Sequence, residues 1–446
     1  MNLGYFKKDS KIQVWVCIDS LEDAGGTFWQ AVLTIIGLKK NNFNVCCFLK
    51  FKPRDNNNYL KILLENNIYL SYPKNFLNDY YKLIKIIKPF VAIASIILFP
   101  LYYFRNRAYK GKKNVDFFKE NSFKILFQYI FNKINYHLDP NDHRKKMLSY
   151  FQNINLFNFL NSELNISKPD LLHVFHQKGP ENFINWAKKN NIKVIYSESS
   201  SADKNLPYYN NNFLSAVKNV DAIFAMSEKH AEKIKSNFDY NGKIFYNTPS
   251  MIIYNGHYIK EKFMLAKKEK IVIGMAASKV CTFKGFDLTI KATAVLSNEY
   301  NLILKLVGEE INQDFRILAN SLNLKNVHFL GFLTPMDMSN FYKQIDILVI
   351  ASKWEGLPTV MIEAMSFGIP VISTKVGEIP NFIKDGHNGL FFENDNYKDL
   401  AEKIDSLIQN EDLYTNLSIN SIDFSRNFYY ENVVEKMIKN YKEILS

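Results

Sequence analysis

The chain has 446 residues, room for two domains of ordinary size, each with its own core. An apolar share of 47% and a charged share of 22% exclude a chain that is mainly disordered. The 56 Lys and Arg outnumber 44 Asp and Glu for a formal charge of +12, which favours anionic partners; with no helix-turn-helix or aromatic RNA-binding signature beside it, the charge alone does not make a nucleic-acid binder.

The first predicted unit is a strand from Ile12 to Ile18, a loop with Gly25-Gly26, an apolar helix from Phe28 to about Lys40, and a strand from Val45 to Leu49. The polar start shows no signal peptide. Cys17, Cys46, Cys47 and Cys281 lack metal-ligand spacing and read as reduced, buried thiols of a cytosolic protein. From about 76 to 160 the pattern gives way to a basic, aromatic, largely helical insertion. Its apolar run from Pro89 to Phe104 has 16 residues and contains Pro100, too short for a bilayer span. Between 82 and 124, ten basic residues face only Asp116 and Glu120, so this segment suits shallow attachment to an anionic membrane surface.

Short apolar runs resume at Leu171 to Phe175, Lys193 to Tyr196 and Ala222 to Ala225, and a polar stretch from Tyr258 to Lys270 reads as a linker. A second series follows, with strands at Ile271 to Ile273, Leu302 to Val307, Val327 to Leu330, Ile345 to Ile350 and Val371 to Ser373. Leu288, Ala292, Val295 and Leu296 share one helix face, and Thr334-Pro335 announces another helix. Strands alternating with helices predict parallel sheets covered on both faces, hence two doubly wound domains with a cleft at their strand ends. The expected division is 1–258, 259–428, and a C-terminal amphipathic helix within 429–446 carrying Val434, Met437, Ile438, Tyr441 and Leu445 on one stripe.

The segment Ala351 to Pro370, ASKWEGLPTVMIEAMSFGIP, carries the most chemistry. Pro358 suits a first helical position, so Glu355 precedes the helix and Glu363 lies about 7 Å further along its axis. A helix N-terminus suits a diphosphate, and two carboxylates beside it suit sugar hydroxyls. On spacing alone, an ordinary loop glutamate and a solvent-facing helix glutamate fit equally well.

Glu-Gly-Leu-Pro, the second Glu-Ala-Met, Gly-Ile-Pro-Val and the following VGEIPNFIKDGHNGLFF resemble the signature of glycosyltransferase family 4, as do NVHFLGFLTPMDMSNFY and QIDILVIASKWEG upstream. The likeness covers 270 to 400 and implies the two-domain GT-B fold with retaining transfer from a nucleotide sugar, UDP- or GDP-linked. It implies that Glu363 binds the ribose, that Glu355 contacts the donor sugar and supports the transition state, and that amides near Gly356, Leu357 and Thr359 face sugar and phosphate. Lys279 and Lys284 would neutralise the leaving diphosphate; lysine stands at 279 where the family usually has arginine. Gly25-Gly26 resembles the loop that touches the donor phosphate from across the cleft, and IIYNGHYIKEKF at 252–263 resembles the inter-domain join.

The chain departs from the family where a histidine is expected after the strand at Lys193, having Glu198 and Ser199 instead. These two are candidate sugar or acceptor contacts, whereas His173 and His176 read as structural. With no Asp-x-Asp motif, transfer is expected to need neither metal nor cofactor. The acceptor expected from the likeness is a glycan or a lipid-linked glycan, and the location cytoplasmic, peripheral on the inner face of the plasma membrane. A sugar-nucleotide epimerase, or an inactive donor-binding partner subunit, is the rival reading.

Overall fold

A computed structural model describes residues 12–18, 26–49, 57–72, 156–157, 159–165, 167–175, 179–203, 206, 209–246, 265, 268–309 and 313–446. Gly25, His176, the apolar run 89–104 with its basic flanks, and the join at 252–263 lie outside these residues. A separate unit comprises 50–52 and 72–168; of its described residues, 159–165 are helical, with Leu160 buried.

The remaining unit holds two parallel sheets. The first comprises β1 (Gln13–Ile18), β2 (Asn44–Leu49), β3 (Tyr69–Ser71), β4 (Leu171–Phe175), β5 (Lys193–Ser197), β6 (Ala222–Ala225) and β7 (Lys243–Tyr246), in the order β3-β2-β1-β4-β5-β6-β7. The second comprises β8 (Ile271–Lys279), β9 (Leu302–Glu309), β10 (Val327–Gly331), β11 (Ile347–Ile350), β12 (Val371–Thr374) and β13 (Leu390–Phe392), in the order β10-β9-β8-β11-β12-β13. Each sheet reverses its winding once, between β1 and β4 and between β8 and β11. Ligand crevices of doubly wound sheets open at the carboxyl ends of such strand pairs. The short central strands are buried at every position, the continuous apolar pattern of a sheet covered on both faces.

Helix α1 (Gly26–Lys40) is buried without interruption from Phe28 to Leu38, because the sheet covers one side and the last helix covers the other. Between them in sequence come α2 (Asn58–Glu65), α3 (Glu181–Lys189), α4 (Asn211–Val217), α5 (Glu228–Phe238), α6 (Phe286–Leu296), α7 (Gln313–Ser321), α8 (Pro335–Gln344), α9 (Thr359–Ser366), α10 (Tyr397–Gln409) and α11 (Glu411–Ser425); the last is α12 (Tyr430–Leu445). Helix α12 buries Val433, Val434, Met437, Tyr441 and Ile444, so Val433 and Ile444 replace the expected Ile438 and Leu445 on the buried stripe. It returns to the first sheet: Gly37 of α1 leaves so little room that a methyl group there would sit 2.6 Å from Val434 Cγ2.

His173 of β4 explains itself in this packing. It is wholly buried, with Nδ1 hydrogen-bonded to the Tyr441 hydroxyl and Nε2 2.7 Å from Ser197 Oγ. Burial pushes its pKa down to about 3, so the ring is neutral and offers one donor and one acceptor to those two hydroxyls. Tyr441→Phe keeps the ring but strands a buried histidine nitrogen. It should lower unfolding stability in urea by about 1–3 kcal/mol, with no change in the far-UV spectrum.

Candidate functional site

The end of β8 and the segment after β11 flank the winding reversal of the second sheet, and they carry Lys279 and Glu355. Strand β8 runs to Lys279, six residues beyond the expected Ile273. Lys284 closes a 3-10 turn, Thr282–Lys284, and α6 begins only after Gly285. Gly285 has a φ of 79° and a methyl group there would come within 2.1 Å of the Ala351 carbonyl oxygen, so only glycine lets this turn lie against β11's exit. The turn is tied there by Lys353 N–H, which donates to the Phe283 carbonyl at 2.9 Å.

Lys284 Nζ thereby meets Glu355 Oε1 at 2.7 Å, and Ser352 Oγ donates to the same oxygen at 2.6 Å. The side chains are 21% and 13% exposed, so this pair is shielded on most sides yet open to the cleft. Lys279 lines the same cleft, joined by Glu309 at the end of β9.

Helix α9 starts at Thr359, with Pro358 one position earlier, as N-cap, than expected. Its first turn carries no acidic residue and its N-cap makes no side-chain hydrogen bond, leaving the N-terminal dipole for an anion. Glu363, a turn later, is 6% exposed, which removes the reading of it as a solvent-facing residue. Tyr342 of α8 donates to its Oε2 at 2.5 Å. Burial outweighs that bond and raises the carboxyl to about 7. The carboxylate is thus poised to gain from any hydroxyl donors that enter beside it.

The first sheet supplies the opposite wall. A methyl group on Gly26 would lie 3.1 Å from Thr359 Oγ1, so the start of α1 touches the start of α9. One on Gly356 would lie 2.7 Å from the Ser199 carbonyl oxygen. Ser199 lines the cleft and shares a 3.1 Å hydrogen bond with Thr27 Oγ1. Glu198 does not reach the cleft. It is 1% exposed, and its carboxylate accepts from Ser200 N–H at 2.7 Å, Ser200 Oγ at 2.5 Å and Tyr196 OH at 3.1 Å. The turn after β5 consumes that side chain, so the sugar contact expected of Glu198 is corrected to a role in holding Ser199 and Ser200 at the wall.

The cleft has a volume of about 770 Å³, within the range of small-molecule sites. Gly26, Lys279, Lys284, Glu355, Gly356, Leu357, Thr359 and Glu363 all line it, so one surface gathers cations, a helix N-terminus and two carboxylates. Tyr59 of α2 and Glu309 line it too and were not expected: Tyr59 lies outside any named motif, and Glu309 ends a strand whose apolar pattern stops at Val307. Phe332, Leu333 and Met338 add apolar side chains to the lining.

Residues 259–424 match the family described as Glycosyl transferases group 1. Among curated proteins, an uncharacterized glycosyltransferase of Methanocaldococcus jannaschii is 28% identical over 335 residues, which span 74% of this chain and 88% of that protein. Among solved structures, a glycosyltransferase from Rickettsia africae has a TM-score of 0.66 at 18% identity, covering 98% of this chain and 100% of the other. The HepE protein of Anabaena, solved with UDP and glucose, has a TM-score of 0.64 at 14% identity, covering 97% and 100%. The fold is therefore that of the GT-B glycosyltransferases, and the half that carries Lys279, Lys284, Glu355 and Glu363 matches the glycosyl transferases of group 1.

Proposed function

We propose that the protein is a retaining hexosyltransferase of family 4 type, moving a sugar from a UDP- or GDP-linked donor to a glycan or lipid-linked acceptor in surface polysaccharide or glycoconjugate synthesis. The observation that carries this reading is the single cleft surface on which the N-terminus of α9 stands between the Lys284–Glu355 pair and buried Glu363. Glu363 takes the ribose diol, the helix N-terminus takes the diphosphate, and Glu355 takes the donor sugar. An arriving diphosphate competes with Glu355 for Lys284, so the lysine shifts toward phosphate and the carboxylate is released to sugar hydroxyls. As the glycosidic bond breaks, negative charge grows on the diphosphate, where Lys279, Lys284 and the amides of α9 stabilise it. These fixed charges support transfer without metal. The acceptor hydroxyl attacks the face that the diphosphate leaves, since no side chain among the described residues of the cleft is set as a nucleophile. The HepE structure with UDP and glucose supports a nucleotide-sugar donor by analogy of fold.

The glutamate at 198, in place of the family's histidine, favours a second reading as an epimerase or a donor-binding subunit without transfer. Radiolabelled sugar nucleotides incubated with the protein and scored for transfer, hydrolysis and epimerisation separate these readings; epimerised donor alone would overturn ours.

Glu363→Ala should weaken nucleotide binding by about 1.5–3 kcal/mol, as expected for hydrogen bonds to a charged group. Because its carboxyl stands at about 7 and the charged form accepts the diol, affinity should rise from pH 6 to pH 8, and Glu363→Gln should flatten that rise. The unliganded protein should show the opposite trend in stability. A carboxyl raised from 4.5 to about 7 keeps its proton longer in the folded state, so burial of Glu363 destabilises progressively as pH rises through that window. Calorimetric titration with UDP and GDP across pH, beside thermal melts, checks both signs.

Lys284→Ala should slow turnover about a hundredfold or more, as for loss of one preorganised electrostatic group. Its circular dichroism should match the parent's. Full activity in this variant without added metal would contradict the assigned role.

We further propose that the basic segment at 82–124 holds the protein on an anionic membrane, bringing it to a lipid-linked acceptor. Each basic residue near such a surface contributes about 1 kcal/mol. Flotation should therefore recover the protein with anionic liposomes at low salt, and not with neutral ones or at high salt. Protein that stays at the bottom with anionic vesicles at low salt points to a soluble acceptor instead.

A further inference from the structure

Glu378 follows β12, outside the motif that bears the two cleft glutamates, and it is 0% exposed. Both of its oxygens are occupied. Oε1 accepts from Lys233 Nζ at 2.5 Å, while Oε2 accepts from Ser227 Oγ at 2.9 Å and Asn381 Nδ2 at 2.8 Å. Ser227 and Lys233 belong to the first sheet's side: Ser227 caps α5 and Lys233 stands on it. One carboxylate of the second half is thus held by two side chains of the first, at the end of a helix whose dipole favours a negative charge. Burial would raise the Glu378 carboxyl, but the Lys233 bond, His230 and Asn381 prevail and hold it below its ordinary range.

The backbone of the same residue reaches the cleft. Glu378 N–H donates to the Gly356 carbonyl at 3.1 Å. Gly377, with a φ of 58°, passes so close to Glu355 that a methyl group on it would lie 1.8 Å from the Glu355 carbonyl oxygen. Gly356 in turn presses on the Ser199 carbonyl of the opposite wall. Any shift of Glu378 relative to α5 therefore moves the loop that presents Glu355.

We propose that Glu378 is a positioning residue, a clasp between the two halves that sets where the Glu355–Gly356 loop stands against a bound donor. The proposal rests on the donor reading given above. An ion pair suits this task better than an apolar contact. Its Coulombic gain is largely offset by desolvation, so the clasp adds register more than strength and can reform whenever the halves meet. Lys233, 41% exposed, returns to water readily when they part.

The test uses full-length Glu378→Ala, Glu378→Gln and Lys233→Ala with three readouts: affinity for UDP and GDP, turnover as nucleotide released from the accepted sugar nucleotide, and hydrogen exchange by peptide. Nucleotide affinity should stay within about threefold of the parent in all three, because Glu363 and the lysines of the second half remain. Glu378→Ala should lower kcat at least tenfold, and Glu378→Gln, which still accepts from Ser227, should recover it to within about threefold of the parent. Exchange in Glu378→Ala should quicken together at 227–233 and 354–357 while the strands keep their protection. Undiminished kcat in folded Glu378→Ala overturns the clasp, as does faster exchange throughout the chain with no rescue by glutamine. Should the alanine variant fail to fold, Lys233→Ala decides: several-fold lower kcat at unchanged affinity upholds the proposal, and parental kcat rejects it. A parent chain that binds neither nucleotide overturns the donor reading and the clasp with it, whereas a parent that binds and turns over isolates any failure to the clasp.

Discussion

Two helix N-termini meet across the cleft, and the rest of the site follows from what that contact demands. Gly26 at the start of α1 touches Thr359 at the start of α9, so closely that a methyl group on Gly26 would press on the Thr359 side chain. Each helix end carries roughly half a positive charge, and Lys279 and Lys284 stand on the same surface. Such a concentration of positive potential needs anions close by. Glu355 supplies one through its ion pair with Lys284. The scaffold thus holds Lys284 in place by pairing it with Glu355, the carboxylate that a diphosphate would displace under the proposed function.

Glu363 answers a different constraint. Buried carboxylates cost free energy, and this one accepts from Tyr342 while burial raises its pKa to about 7. Glu378, equally removed from water, has three donors and a depressed pKa. The contrast separates two uses of a buried acid. One is fully satisfied and ties elements together; the other keeps hydrogen-bonding capacity in reserve on a cleft wall.

The second half was legible in the sequence because its chemistry is local. Glu355, Gly356, Pro358, Thr359 and Glu363 lie within one strand exit and one helix, so their spacing already fixes their neighbourhood. The first wall was harder to read. Ser199 and Tyr59 reach the cleft from different strand ends and helices, and Glu198 turned inward because neighbouring hydroxyls and an amide were there to receive it. Strands β3, β7 and β13 have three or four residues each, too few for alternation to declare them, and none was expected. The 3-10 turn before α6 depends on Gly285 adopting a positive φ against Ala351, a long-range contact that no local pattern announces. Glu378 escaped notice for the same reason, since Ser227 and Lys233, its two partners across the cleft, lie more than a hundred residues upstream.

Helix α12 gives the chain an unusual order of completion. It follows the whole second sheet in sequence, yet Val434 seals Gly37 of α1 and Tyr441 satisfies His173 of β4. On the ribosome, the first half must therefore wait with an uncovered apolar helix and a core histidine lacking one of its two hydroxyl partners until Tyr441 has been made. The second half faces no such delay, since its strands and covering helices are contiguous in the chain. Synthesis thus runs from first half to second, while final consolidation of the core runs the other way, and the two halves become mature only as one piece.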